Sequence, residues 1–331
     1  MPQNNILLIL TGGTICSFEQ ENGERASDTH KAETLIVQNY RKSYGDGVSF
    51  DAHFPLNILS ENMTVAHWNR LLDEFRTCDF SAYDGIIVLH GTDTLAYTAS
   101  LLSLLLAGIP CPLFLVSAQL PLTHKQTNGN ENFRAAVELI TTGNLRGVYA
   151  VYRNSDGVTY LHRGAHLRQC ANHSDDFFSA DMTPISTVIS ESTMAKEPLL
   201  FRVGKLLPSV LRIEPYVGLD YRHFTLDNVA AVLHGTYHSS TACVAPDEST
   251  SLLWFLRQAE QRHIPVFLSP CNEKAYAYET TGEALRNGAI ALSRMTPEMT
   301  YAKLLVGLSL GFSEEELKKF LKTELCGEFI L

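Results

Sequence analysis

Apolar residues in the first half of the chain come in short unbroken runs, separated by stretches with helical spacing. Asn5–Leu10, Gly85–Leu89 (Gly-Ile-Ile-Val-Leu) and Pro112–Val116 read as strands. Val65–Cys78 carries Trp68, Leu71, Leu72 and Phe75 at helical spacing, and Thr94–Ala107 and Asn132–Thr141 read as further helices. Strands that are apolar throughout, instead of alternating, predict a parallel sheet covered on both faces. The pattern lapses between Arg153 and Leu211, where polar clusters interrupt every period. It restarts with a strand at Val229–Leu233, a helix at Thr250–His263 and a strand at Ile264–Leu268. Helices are expected at Thr280–Asn287, Pro297–Leu310 and Ser313–Thr323, the last opened by Ser313 and Glu316 at capping-box spacing. The whole predicts an α/β protein with domains at 1–200 and 227–331 and a linker at 201–226. With 331 residues the chain exceeds the ~250–300 at which single cores stop growing.

Composition narrows the function classes. The chain is 45% hydrophobic and 19% charged, as globular proteins are, and its formal charge of -10 argues against a nucleic-acid partner, which needs a basic patch. No apolar run approaches the about 18 residues needed to span a membrane. The first apolar run stops at Thr11-Gly12-Gly13, so it reads as a strand and not as a signal peptide. The seven cysteines show no Cys-x-x-Cys pair and no Cys/His metal spacing. They are expected to be unpaired thiols of a reducing compartment, the cytoplasm, with no metal and no cofactor.

Two segments stand where chemistry is expected, at the ends of strands in a parallel sheet. Thr11-Gly-Gly-Thr-Ile15 follows the first strand, and His90-Gly-Thr-Asp-Thr94 follows Gly85–Leu89. Each places hydroxyls among glycines that let a backbone approach a ligand. A hydroxyl nucleophile needs an activating group and donors for the developing oxyanion. Thr14, Thr92 and Asp93 supply hydroxyl, second hydroxyl and carboxylate if the loops converge, with Gly91 letting the backbone close in. The same residue types also make ordinary helix caps. Val-Leu-His-Gly-Thr recurs at 88–92 and 232–236, so a second strand ends in the same polar exit.

Thr11-Gly-Gly-Thr-Ile15 and His90-Gly-Thr-Asp-Thr-Leu-Ala-Tyr-Thr-Ala99 resemble the two defining motifs of the bacterial-type L-asparaginase family, above all its cytoplasmic type I branch. The resemblance continues through Ser60-Glu-Asn-Met-Thr64, Ser117-Ala-Gln-Leu-Pro121 and Asn128-Gly-Asn-Glu-Asn-Phe133, and extends weakly to the C-terminus. It implies a flavodoxin-like N-terminal domain, a smaller α/β C-terminal domain, and homodimers or homotetramers with sites at subunit interfaces. By the same resemblance Thr14 is the first nucleophile, and Thr92 and Asp93 are the second threonine and its carboxylate. Ser60, Glu61 and Asp93 then hold the α-carboxylate and α-amino groups of a small amino acid, and Ala118 offers its carbonyl to the amide nitrogen. The implied reaction is hydrolysis of L-asparagine to L-aspartate and ammonia through an acyl-enzyme. Two alternatives stand beside it: an amino-acid-binding or sensing protein, and an amidohydrolase for glutamine or a modified amide.

The chain departs from the family at two points. Where the family has a tyrosine after the first threonine, this sequence has Glu24 or Arg25. Where the family has a lysine ahead of a phenylalanine, completing a Thr–Lys–Asp triad, this sequence has Arg168, or Gln169 if the alignment slips by one. No lysine lies between Lys125 and Lys196. Arginine stays protonated and cannot take the threonine proton. Candidate substitutes are a water relayed through Asp93, His166, or a histidine of the 234–238 segment. For the family's C-domain asparagine the counterpart is Tyr237, His238, Ser239 or Ser240. Cys271 resembles an allosteric cysteine of some type I members and reads more simply as a buried structural thiol.

Overall fold

The computed structural model describes residues 4–143, 145–187, 197–245, 248–272 and 278–330. The chain divides into two compact units. One comprises Met1–Arg202 with Leu325–Gly327, and the other Val203–Glu324 with Glu328–Leu331.

In the first unit β1 (Asn4–Leu10) is followed by a small hairpin, β2 (Ser17–Glu19) and β3 (Arg25–Ser27). Then come α1 (Thr29–Tyr44), β4 (Val48–His53), α2 (Val65–Thr77), β5 (Gly85–Leu89), α3 (Leu95–Leu105) and β6 (Leu113–Val116). The unit closes with α4 (Gly129–Thr142), β7 (Val148–Arg153), β8 (Thr159–Arg163) and β9 (Thr183–Pro184). The sheet order is β4-β1-β5-β6-β7-β8-β9, parallel from β4 to β7 and antiparallel at β8 and β9. Counted as parallel strands alone, that is the flavodoxin order 2-1-3-4-5, whose connections reverse between β1 and β5. The apolar runs explain the layering. Ile6–Leu10 and Ile86–Leu89 are 0% exposed, because helices cover both sheet faces. Ile6, Leu8 and Leu10 pack on one face with Ile36 and Val37 of α1 and Phe133, Ala136 and Val137 of α4.

The second unit holds a four-stranded parallel sheet in the order β10-β11-β12-β13, with β10 (Val210–Ile213), β11 (Ala231–His234), β12 (Val266–Leu268) and β13 (Ile290–Ala291). Helices α5 (Leu252–Glu260), α6 (Glu279–Arg286), α7 (Pro297–Ser309) and α8 (Glu314–Leu321) accompany it. Ser313 and Glu316 form the expected reciprocal cap at the start of α8. The α/β class read from the sequence is the one observed. The segment read as irregular, 153–211, contains β8, β9 and the start of β10. These strands are too short, or too amphipathic at a sheet margin, to leave a period. No helix of the described residues is long and apolar enough to cross a membrane.

The tail is fixed by a charge pair with no exposure on either side chain: Lys303 Nζ of α7 lies 2.6 Å from Glu328 Oε1 and donates at 2.7 Å to the Thr323 carbonyl. Removing one partner strands the other charge out of water. Lys303→Met is therefore expected to cost about 3–5 kcal/mol in urea unfolding, while Lys303→Met/Glu328→Leu recovers most of that loss.

Candidate active site

The topological reversal places two strand ends side by side, and the backbone there is drawn together by hydrogen bonds. Thr11, just past β1, donates its N–H and its hydroxyl to the Leu89 carbonyl at 3.0 and 2.9 Å. Gly13 N–H donates to the Ile58 carbonyl at 2.8 Å, and Ile58 N–H to the Thr11 carbonyl at 3.1 Å. Three segments thus meet: 11–14 after β1, 58–61 after β4, and 90–94 after β5.

Their closeness dictates glycine at two positions. Gly13 has φ 82°, and a Cβ there would lie 2.1 Å from Gly91 Cα. Gly91 has an ordinary φ of −79°, but a Cβ on it would fall 2.3 Å from Ser60 Oγ. His90, 0% exposed, donates from Nδ1 to the Gly91 carbonyl at 2.7 Å, which assigns the proton to that nitrogen. Burial lowers the His90 pKa to about 4, so the ring is neutral at physiological pH. His234, in the second copy of the motif, makes the same bond to Gly235, which leaves its Nε2 to accept from the Tyr221 hydroxyl at 2.8 Å. The echo in sequence is therefore an echo in local structure: a buried histidine ties down the glycine that ends its strand.

Thr14 opens the short 3-10 turn Thr14–Cys16, partly exposed, directly after Gly13. Ser60 is 4% exposed, and Glu61 beside it is exposed, on the turn Ser60–Asn62. Thr92 and Asp93 form the turn that leads into α3. Ser60 Oγ accepts the Asp93 N–H at 3.2 Å and reaches Asp93 Oδ2 at 3.4 Å, while Thr94 Oγ1 donates to the Ser60 carbonyl at 3.0 Å. The structure thus joins Ser60, Gly91 and Asp93 directly. Thr92 and Asp93 border a cleft of about 390 Å³, whose other walls include Gln119, Tyr152, Gln169 and the 170–175 loop. That volume lies in the ~300–1,000 Å³ range of small-molecule sites. Ala118 is buried just before Gln119.

The 168–169 pair resolves differently from the spacing-based alignment. Leu167 forms an antiparallel bridge with Ser179 and is fully buried, which turns Arg168 to the exposed side. Gln169 faces the cleft instead and donates from Nε2 to the Thr92 carbonyl at 3.2 Å. His166 is nearly buried, with Nδ1 3.0 Å from Asp181 Oδ2, and does not line the cleft. Glu24 and Arg25 sit exposed at the β2–β3 hairpin. Tyr237, His238, Ser239 and Ser240 lie in the second unit, and Cys271 is 0% exposed there.

Tyr152 is hidden from the sequence pattern because it ends an apolar strand. It is 1% exposed, yet its ring borders the cleft. Its hydroxyl lies beside the Asn128 side chain, which is itself held by Gln119 N–H at 3.1 Å and the Arg153 carbonyl at 2.8 Å. Burial raises its pKa, so the group stays a neutral phenol.

Residues 5–199 match the asparaginase N-terminal family model. The chain belongs to the asparaginase family. Its homologues are amidohydrolases. L-asparaginase 1 of Escherichia coli is 27% identical over 347 residues, covering 99% of this chain and 98% of that protein. At the same 27% stands a component of the glutamyl-tRNA(Gln) amidotransferase of Methanobrevibacter smithii, over 99% of this chain and 77% of that protein. The crystal structure of L-asparaginase I from Vibrio cholerae matches with a TM-score of 0.77 and 26% identity, over 99% of this chain and all of that one.

The close approach at Gly91 yields a sharp test. Gly91→Ala suits the local φ, but its Cβ would fall 2.3 Å from Ser60 Oγ and 2.9 Å from Gly13 Cα, so Ser60 must move and Asp93 loses its anchor. Expected is a loss of stability of ~1–3 kcal/mol in thermal unfolding, together with weaker binding of aspartate, the probe used in calorimetry. Unchanged binding would show that Ser60 and Asp93 do not depend on this contact.

Proposed function

We propose that this chain hydrolyses L-asparagine to L-aspartate and ammonia through a threonine acyl-enzyme. The observation that carries the reading is the joining of Ser60 to Asp93 beside Thr92 at the edge of a polar cleft. Ser60 and Asp93 offer a hydroxyl and a carboxylate to the two ends of an amino acid's backbone, with Asp93 pairing to the ammonium. Glu61 and the Ala118 carbonyl are assigned to the remaining substrate groups by family pattern. Thr14 attacks the side-chain carbonyl, forming a C–O bond, and N–H groups of the glycine-rich turns receive the oxyanion. The C–N bond breaks, with the threonine proton passing to the leaving nitrogen. Water then adds to the ester and regenerates the hydroxyl. Thr92 and Asp93 serve as the relay for these protons.

Neither neighbour supplies the family's lysine chemistry. Gln169 carries a neutral amide with no basic nitrogen, and Arg168 faces outward. A water held by Asp93 takes the proton in this proposal, and losing a matched base costs ~10²–10⁴-fold in rate. By the same family pattern we assign the chain to the cytoplasm and to a homodimer or homotetramer, acting on a small-molecule substrate without cofactor.

One observation favours a second reading. Glutamine at the base position keeps the hydrogen bonding of the pocket and discards its basicity, as suits a protein that binds an amino acid without cleaving it. Ammonia release from L-asparagine, L-glutamine and D-asparagine separates the two. Hydrolysis predicts release from L-asparagine that disappears in Thr14→Ala and in Thr92→Ala. Aspartate binding without release from any amide would replace the enzyme by a sensor. Release only with a tRNA-charging partner present would align the chain with the amidotransferase relatives.

A further inference from the structure

A second cluster of chemically capable side chains lies outside the cleft, at the β4 margin of the first sheet. His53 is the last residue of β4, held in register opposite Ile9 of β1. Glu74 lies in the last turn of α2, and Cys78 is the residue that caps that helix. A spacing of four sets Glu74 and Cys78 on one side of the helix. His53 Nδ1 lies 2.5 Å from Glu74 Oε1, and Cys78 Sγ donates to the Glu74 carbonyl at 3.3 Å. One nitrogen, one carboxylate oxygen and one sulfur all fall within 4.8 Å of one another.

We propose that His53, Glu74 and Cys78 form a three-ligand site for a zinc-class divalent cation, with water in the fourth position. A tetrahedral zinc ion with bonds of about 2.0–2.3 Å sets its ligand atoms ~3.3–3.8 Å apart. To reach that geometry the His53–Glu74 pair opens from 2.5 Å by about an ångström and the sulfur, now within 4.8 Å, draws in, shifts that side-chain torsions accommodate. The donor set selects the metal: magnesium and calcium take oxygen ligands, whereas a mixed imidazole, carboxylate and thiolate set suits zinc. The His53 and Glu74 side chains are 38% and 26% exposed, so an ion can enter from solvent and keep its water. An ordinary His–Glu hydrogen bond accounts for two of the three groups, and Cys78 distinguishes a metal site from it. None of the three residues lines the cleft, so the site stands or falls independently of amide hydrolysis.

The experiment is a cobalt(II) titration of the purified protein, read by the thiolate-to-cobalt charge-transfer band and followed by zinc displacement. Variants are Cys78→Ser, His53→Ala, Glu74→Gln and, as a control for other thiols, Cys243→Ser, whose residue is exposed. The proposal predicts one equivalent bound with the band present in wild type and Cys243→Ser. It predicts no band in Cys78→Ser, and affinity at least about tenfold weaker in His53→Ala and Glu74→Gln. Absence of a stoichiometric band in wild type overturns it. So does a band that survives unchanged in Cys78→Ser, which would locate the ion on another thiol.

Discussion

Where β1 and β5 end, two stretches of backbone approach so closely that neither can carry a side chain: a Cβ on Gly13 would meet Gly91, and a Cβ on Gly91 would meet Ser60. That contact follows from topology. Reversal of the winding between β1 and β5 leaves their exits adjacent with no crossover helix between them. The Ile58 N–H, donating to the Thr11 carbonyl, and the Gly13 N–H, donating to the Ile58 carbonyl, then draw in the Ile58–Ser60 segment. The positions of Thr14, Ser60, Thr92 and Asp93 all depend on this junction. His90 secures it from below as a neutral ring whose one proton is spent on the Gly91 carbonyl.

The remainder of the cleft differs from its family pattern in the way charge is distributed. The side facing Thr92 carries Gln169, a neutral amide, and the phenol of Tyr152, held neutral by burial. His173 and Asp175 also line the cleft, and in the proposed reaction proton movement is assigned to Asp93, water and the threonines. On the proposed function, the cleft keeps groups to orient an amino acid and lacks the family's lysine as activating base. Function is thus decided by energetics at a few atoms, not by the fold, which relatives with different names share.

Much of this is legible in the sequence. The buried parallel strands declare themselves as unbroken apolar runs, and the two glycine–threonine exits mark the site. α1 and β4 leave no such signal, because α1 buries only Thr29, Ala32, Ile36 and Val37 and β4, at the sheet edge, buries only Val48. The choice between Arg168 and Gln169 is also illegible. Counting back from Phe177 gives a position, but the Leu167–Ser179 bridge decides which side chain turns inward. Tyr152 reads as one more core residue, since its polarity matters only where its strand ends. His53, Glu74 and Cys78 have no motif because a strand and a helix bring them together across the chain.

The central claim is that the Gly13–Gly91–Ser60 junction presents a threonine hydroxyl to a substrate amide. Its most direct measurement is mass-spectrometric mapping of the residue labelled by an electrophilic analogue of asparagine, in wild type and in Gly91→Ala. The account predicts labelling at Thr14 in wild type, protected by aspartate and strongly slowed in Gly91→Ala. Labelling at any other residue, or at the same rate in both proteins, would contradict it.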